Sequence, residues 1–307
     1  MENISKIQAD SASIIVLIDN YVDVLLPSSK NVMRTGPFLR EQLVAEHGLA
    51  IHVSVTYDGS ENHYLMDSGF TRMGVPHNIQ ALDIDISRVD SIFLSHGHLD
   101  HYASMIEVLS LINKPVPIIT HPDSFCPRYF VFPNGRVLGP WKLSRIALEE
   151  ANAQIMSVKN PVPLGPGLIS TGEIKKTTDF EKPMAAARIV KNGEIMNDPI
   201  IDDQSLIINL KGKGLVILTA CSHSGIINII RHSQKITGIN KIHAIFGGFH
   251  FAGVSEEVVQ KTIVELEKID PTFLIPTHCT GFKAMNMIAE RMPDKFILSS
   301  VGSKMKF

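Results

Sequence analysis

Cysteine is scarce in this chain. Cys126, Cys221 and Cys279 are its only three in 307 residues, an odd number set far apart. That spacing argues against a disulfide framework and for a reducing, cytoplasmic setting. Long apolar runs are missing too. None approaches the roughly 20 residues that a membrane-spanning helix needs. The opening residues MENISKIQAD carry no cationic n-region, and the apolar run from Ile14 to Ile18 is too short for a signal-peptide core. Charge of one sign is also lacking. With 29 Lys and Arg against 31 Asp and Glu, the net charge is −2, so a broad nucleic-acid footprint is not expected. A small-molecule substrate, no nucleic acid and no membrane are the expected partners.

What remains is an ordinary folded composition. Hydrophobic residues make up 44% and charged ones 20%, with a mean hydropathy of +0.12, enough for a large core and far from a disordered chain. Short runs rich in Ile and Val predict strands over 13–18, 51–57, 63–67, 91–95, 116–120, 205–210, 214–219, 241–246, 273–276 and 295–301. Helical patterns predict helices over 37–47, 101–112, 141–152, 255–269 and 280–291. The first runs from Pro37 to a Gly48 stop, and the fourth opens on Ser255 with Glu256 and Glu257. Residues 122–200 are richer in proline and weaker in periodicity. They read as an elaborated insertion in a single α/β domain spanning 1–307. Aromatics are sparse at 7%, so Phe125, Tyr129, Phe130, Phe132 and Trp141 stand out there as a wall for a cleft.

Histidine is the informative residue type, with 13 in the chain. The strongest motif is Ser95-His96-Gly97-His98-Leu99-Asp100-His101. His96 and His98 are two apart, so an extended loop turns both to one side. Asp100 and His101 follow at a predicted helix start. Three imidazoles and a carboxylate thus enter a small volume, a nitrogen and oxygen set that suits zinc, and also manganese or iron.

One construction then recurs. A strand ends, and a histidine follows within a few residues, often beside glycine: Cys221-Ser222-His223-Ser224-Gly225, Gly247-Gly248-Phe249-His250, Thr277-His278-Cys279 and His121-Pro122. In α/β sheets, ligand sites gather at the carboxyl ends of strands, so these loops can converge on one cleft. His223 and His278 read as further metal ligands. His250 reads as a catalytic or substrate-binding residue, and His121 as substrate-binding with a turn role as its rival. Cys221 reads as a small buried residue at the substrate, with a thiolate ligand as the alternative. Asp67, past another strand, could brace a ligand histidine or simply hold a turn. Asp202-Asp203 and Thr171-Gly172-Glu173 could reach the cleft. His47, His52, His63, His77, His232 and His243 have no such setting and read as structural or surface residues.

These motifs resemble the metallo-β-lactamase superfamily, whose HxHxDH signature HGHLDH matches. VLIDN, EHGL, MDSG, CSHSG, GGFH and THCTG occur in the order of one branch, which is similar to the dihydropterin-ribofuranosyl-aminobenzene-phosphate synthase-like proteins. The resemblance implies an αββα sandwich with the insertion 122–200 covering the cleft. It also implies one or two divalent metal ions, His96, His98 and His223 holding one, and Asp100, His101 and His278 a second. The chain departs from the wider pattern where Cys221 stands in place of an expected bridging Asp, and where Tyr102-Ala103-Ser104 replaces the glycines common after the motif. The implied chemistry is hydrolysis of a small ester, lactone or phosphoester by a metal-activated hydroxide, with Asp100 and His250 as the catalytic residues. Alternatives on the same residues are the pterin-pathway synthase and an iron-dependent oxidoreductase.

Overall fold

The computed structural model describes residues 7–307. Residues 1–6, part of the segment read for a leader, lie outside them. Two large sheets face each other. One has eight strands and is built mostly from the first half of the chain. The other has six and comes mostly from the second half. Side-chain alternation explains why they stack. In the antiparallel pair Ala50–Tyr57 and Ser60–Met66, Ile51, Val53, Val55, Tyr64 and Met66 point one way, and Ala50 and Leu65 the other. The first set meets Leu206, Ile208, Val216, Leu218 and Phe246 of the six-stranded sheet in the central core. The second set packs under the helices Gly74–Ala81 and Met105–Ile112. The outer face of the other sheet is covered by Ile226–Thr237, Glu256–Ile269 and Phe282–Arg291. Helices on both outer faces of two apposed sheets make an αββα sandwich. Each fully buried Ile or Leu in these layers contributes roughly 1.5–3 kcal/mol.

Within the expected insertion, a separate four-stranded sheet forms from Arg128–Val131, Val137–Trp141, Ala187–Lys191 and Glu194–Asn197. The stretch between is not insertion. Ala153–Ser157 closes the edge of the eight-stranded sheet, and Pro163–Gly165 and Leu168–Ser170 begin the six-stranded one.

Three expected elements differ. Residues 37–47 form no helix: Glu46 N–H donates to Asp19 O, and Asn78 holds both the N–H and C=O of Val44, so side chains and neighbouring loops supply the partners. Residues 295–301 form no strand beyond a bridge at Phe296, because the chain is crossing between sheets. Ile297 N–H bonds Leu274 O and Gly302 N–H bonds Val16 O, and the sheet strand comes later, at Lys304–Lys306. The predicted helix 141–152 begins only at Arg145, capped by the Ser144 hydroxyl, while Trp141 ends a strand.

Parallel pairing decides where the site lies. Ser60–Met66, Ser91–Phe93 and Val116–Thr120 run parallel in one sheet, and Gly214–Leu218, Ile242–Gly247 and Phe273–Pro276 in the other. Their carboxyl ends carry the polar loops into one cleft.

Candidate metal centre

The loop after Ser91–Phe93 is held by Asp67. Its carboxylate accepts from Ser95 N–H at 2.8 Å, from the Ser95 hydroxyl at 2.7 Å and from His101 Nδ1 at 2.8 Å. Because the Ser95 hydroxyl gives its proton to Asp67, its oxygen is left to accept from His96 Nδ1, 2.9 Å away. Both His96 and His101 are therefore protonated on Nδ1 and turn a bare Nε2 inward. His278 follows the same rule. Asn20 spends its N–H groups on His47 Nδ1 and the His278 carbonyl, so Asn20 Oδ1 accepts from His278 Nδ1 at 3.1 Å.

Two compact ligand sets result. In the first, His98 Nδ1 lies 3.1 Å from both His96 Nε2 and His223 Nε2. Three ring nitrogens crowd together there, and such spacing is that of three ligands on one tetrahedral ion. In the second, His101 Nε2 lies 3.1 Å from Cys221 Sγ and 3.7 Å from Asp100 Oδ2, which is 3.4 Å from His278 Nε2. The side chains of His101 and His278 are fully buried, and the Asp100 side chain is 17% exposed, at the mouth of the cleft.

The electrostatics suit a cation. Burial and the surrounding imidazoles push His96 and His223 well below their ordinary values, and burial with Arg128 nearby takes His98 down to about 3, so all three are neutral donors. Burial opposes ionisation of Asp100, but His101 and His278 outweigh it and hold the carboxylate ionised. Burial and the Cys279 thiol raise Cys221 well above the usual thiol range, so only a bound cation would make it a thiolate. The loops are also strained. Asp67, Ser222, His250 and His278 all have φ between +50° and +61°, a region uncommon for non-glycine residues and concentrated at functional sites.

A model of the metallo-β-lactamase superfamily matches residues 48–164. A protein of Methanocaldococcus jannaschii named 7,8-dihydropterin-6-methyl-4-(β-D-ribofuranosyl)-aminobenzene-5'-phosphate synthase is 33% identical over 267 residues, covering 86% of this chain and 90% of that one. The chain belongs to the metallo-β-lactamase superfamily. Within the superfamily it falls in the branch of that synthase, with a second, uncharacterized protein of the same organism 29% identical over 265 residues. Among solved structures, a metal-dependent hydrolase of the β-lactamase superfamily is similar at a TM-score of 0.76 and 22% identity, covering 96% of this chain and 98% of that one. A diphosphatase from the PhnP family aligns at a TM-score of 0.51 and 13% identity, covering 97% of both chains. Both likenesses are of fold.

His96, His98 and His223 lie together in one group that could hold an ion, and Asp100, His101 and His278 lie together in another. Cys221 lies with the second group as a ligand-type thiol, the alternative that the sequence offered, and it also lines the cleft where a substrate contact was expected. His121 is not brought to the centre. Its side chain is fully buried, with Nδ1 accepting from Asp123 N–H and Nε2 2.9 Å from Glu173 Oε1, so a turn role replaces the expected substrate contact. Glu173 is thereby accounted for as well. Asp202 holds Gly97 N–H and the Arg128 guanidinium, and Asp203 accepts from Ser224 N–H.

Sequence reasoning missed two residues. His47 was read as structural, yet it lies 3.5 Å from Asp100 Oδ2 and 5.0 Å from the His278 ring, at the rim of the cleft. The EHGL motif was its one signal. Arg128, 1% exposed, reaches from the four-stranded sheet to Asp198, Asp202 and the Gly97 carbonyl. Gly97 must be glycine here, since a Cβ would run into that guanidinium.

The cleft over the metal residues measures about 490 Å³ and is walled by Phe70, Phe130, Leu138 and Trp141. Phe130 and Trp141, from the insertion sheet, pack edge to face at 4.8 Å above His98. Phe125, Tyr129 and Phe132 do not line it, and Phe125 instead packs against the core beneath the outer helices.

Proposed function

We propose that the protein is a metal-dependent hydrolase acting on a small ester, lactone or phosphoester. The observation that carries this reading is the pair of ligand sets, three imidazoles in one and Asp100, His101, Cys221 and His278 in the other, opening on a single cleft. Two ions are expected, zinc foremost. Ions held there would supply a water ligand acidified toward neutrality and a Lewis acid for the substrate oxygen. The chain's own residues do the rest. Asp100, ionised and at the cleft mouth, accepts the proton of the attacking water. His250 lies at the cleft edge, outside both ligand sets, where its imidazole hydrogen-bonds the departing group. Phe130 and Trp141 hold a flat group against the metal face and thin the water around it.

A second reading has its own support. The 33% identical relative is named as a synthase for a pterin joined to a ribosylated aminobenzene. An aromatic-walled cleft suits planar rings of that kind. One experiment separates the two. The metal-loaded protein is offered ester, lactone and phosphoester panels in ¹⁸O-water, and products are weighed by mass spectrometry. Label in the product supports hydrolysis. Turnover only when a pterin and an aminobenzene partner are both supplied, with no label, moves the synthase to the front.

A further inference from the structure

The cleft over the metal residues is not the whole cavity system. A second chamber of about 320 Å³ opens beside it, walled by Phe180, Phe249, Phe251, Val254 and Val258. Met184, His223, His250 and Ala252 line both chambers and so form the neck between them. His223 belongs to the first candidate ligand set, and its ring centre lies 4.4 Å from that of His250, the two planes tilted by 49°. The neck therefore lies beside the first candidate ligand set.

The second chamber is built, not incidental. Its roof is the strap carrying Phe180 to Ala185, pinned at Glu181. That carboxylate accepts from Ile227 N–H at 2.9 Å, Asn228 N–H at 3.1 Å and the Thr178 hydroxyl at 2.8 Å, locking the strap to the start of Ile226–Thr237. Gly225 leaves the room that this carboxylate fills. With Glu181 committed to the helix, the chamber presents an aromatic-edged lining, apolar except at Lys182, Ser222 and the two histidines of the neck, of a size for one ring or a short branched chain.

We infer that the substrate carries a bulky, largely apolar group on each side of the reacting bond, one arm in each chamber, and that Met184 at the neck sets this two-armed preference. The inference rests on the hydrolytic reading only for what happens at the bond. Where the arms bind is independent of it.

The test is therefore a binding measurement. Diphenyl phosphate and methyl phenyl phosphate are titrated into the metal-loaded protein by calorimetry, alongside Met184→Trp and Val258→Trp. The first variant blocks the neck, and the second fills the chamber from the helix Glu256–Ile269. Diphenyl phosphate is expected to bind at least tenfold tighter than its one-armed analogue to the parent protein. Either variant is expected to erase that preference, and Val258→Trp, at a residue that does not line the metal cleft, to leave methyl phenyl phosphate within about twofold. Equal affinity of the parent for both probes overturns the inference, as does a preference that survives in both folded variants. If the preference behaves as expected but bis(p-nitrophenyl) phosphate and simple esters are not turned over, the hydrolytic reading falls and the two-armed site stands.

Discussion

Asp67 Oδ2 and His101 Nδ1 are 2.8 Å apart and both side chains are wholly buried. The same carboxylate holds Ser95, and through Ser95 it sets the tautomer of His96. One residue thus orients an imidazole in each candidate ligand set. Asp67→Asn removes the charge and one acceptor while keeping the shape. Metal affinity should fall roughly 10–100-fold at both positions. Competition against a calibrated chelator measures this. Unchanged affinity at both would show that the brace is only a turn.

The two sets should separate by mutation. His98→Ala is expected to lower metal content by one ion per chain and abolish activity. Cys221→Ala should lower it by one ion while His96, His98 and His223 still hold theirs, and Cys221→Asp should restore part of the loss by supplying an oxygen ligand. Metals per chain, by mass spectrometry on protein purified without chelator, decide the matter. A full complement in Cys221→Ala would leave the thiol without a ligand role.

Arg128 is a buried charge serving two buried carboxylates, Asp198 at 2.8 Å and Asp202 at 2.7 Å. Arg128→Met leaves both without a counter-charge, at a cost of about 3–5 kcal/mol. Because Arg128 and Asp202 also grip Gly97, metal uptake should weaken in parallel. Arg128→Lys should rescue little, since an ammonium cannot span both acids. Denaturant titration with and without metal measures both effects. A loss under 1 kcal/mol would refute the account.

Acid sensitivity should have a source away from the metal. His52 stacks on His63 at 5.3 Å on the helix-covered face of the eight-stranded sheet, and burial, then His63, push it from 6.5 to about 4. Unfolded His52 takes up a proton below pH 6.5, whereas the folded residue stays neutral until about pH 4. Stability is therefore lost as pH falls through that window, by on the order of 3 kcal/mol. His52→Val should flatten the decline of the melting temperature between pH 7 and pH 5. An unchanged slope would place the sensitivity elsewhere.

The strands and the ligands were legible in the sequence for one reason. Runs such as GLVIL and FLIP are buried on both faces, and the histidines follow directly at their ends, where geometry leaves little choice. Where partners come from far along the chain, local pattern failed. His47 reaches the site because residues 37–47 are not helical, and that depends on Asn78 and Asp19 supplying the hydrogen bonds. The helix Ile226–Thr237 was not foreseen, because its isoleucines suggest strand more than helix and only packing against the sheet decides. His121 was misread because its setting matches that of the candidate ligands up to the point where Glu173, far along the chain, claims its ring.

Neither half of the chain owns a complete candidate ligand set. His96, His98, Asp100 and His101 hang from the eight-stranded sheet, and Cys221, His223 and His278 from its six-stranded counterpart. Each ion would therefore be a clasp across the seam of the sandwich, fastening residues as far apart as His98 and His223. The clasp can close only once both sheets have met. Metal retention in this protein is then a gauge of whether the two halves are properly shut, and any lesion that springs the seam, however remote from the cleft, should announce itself first as metal leaking out.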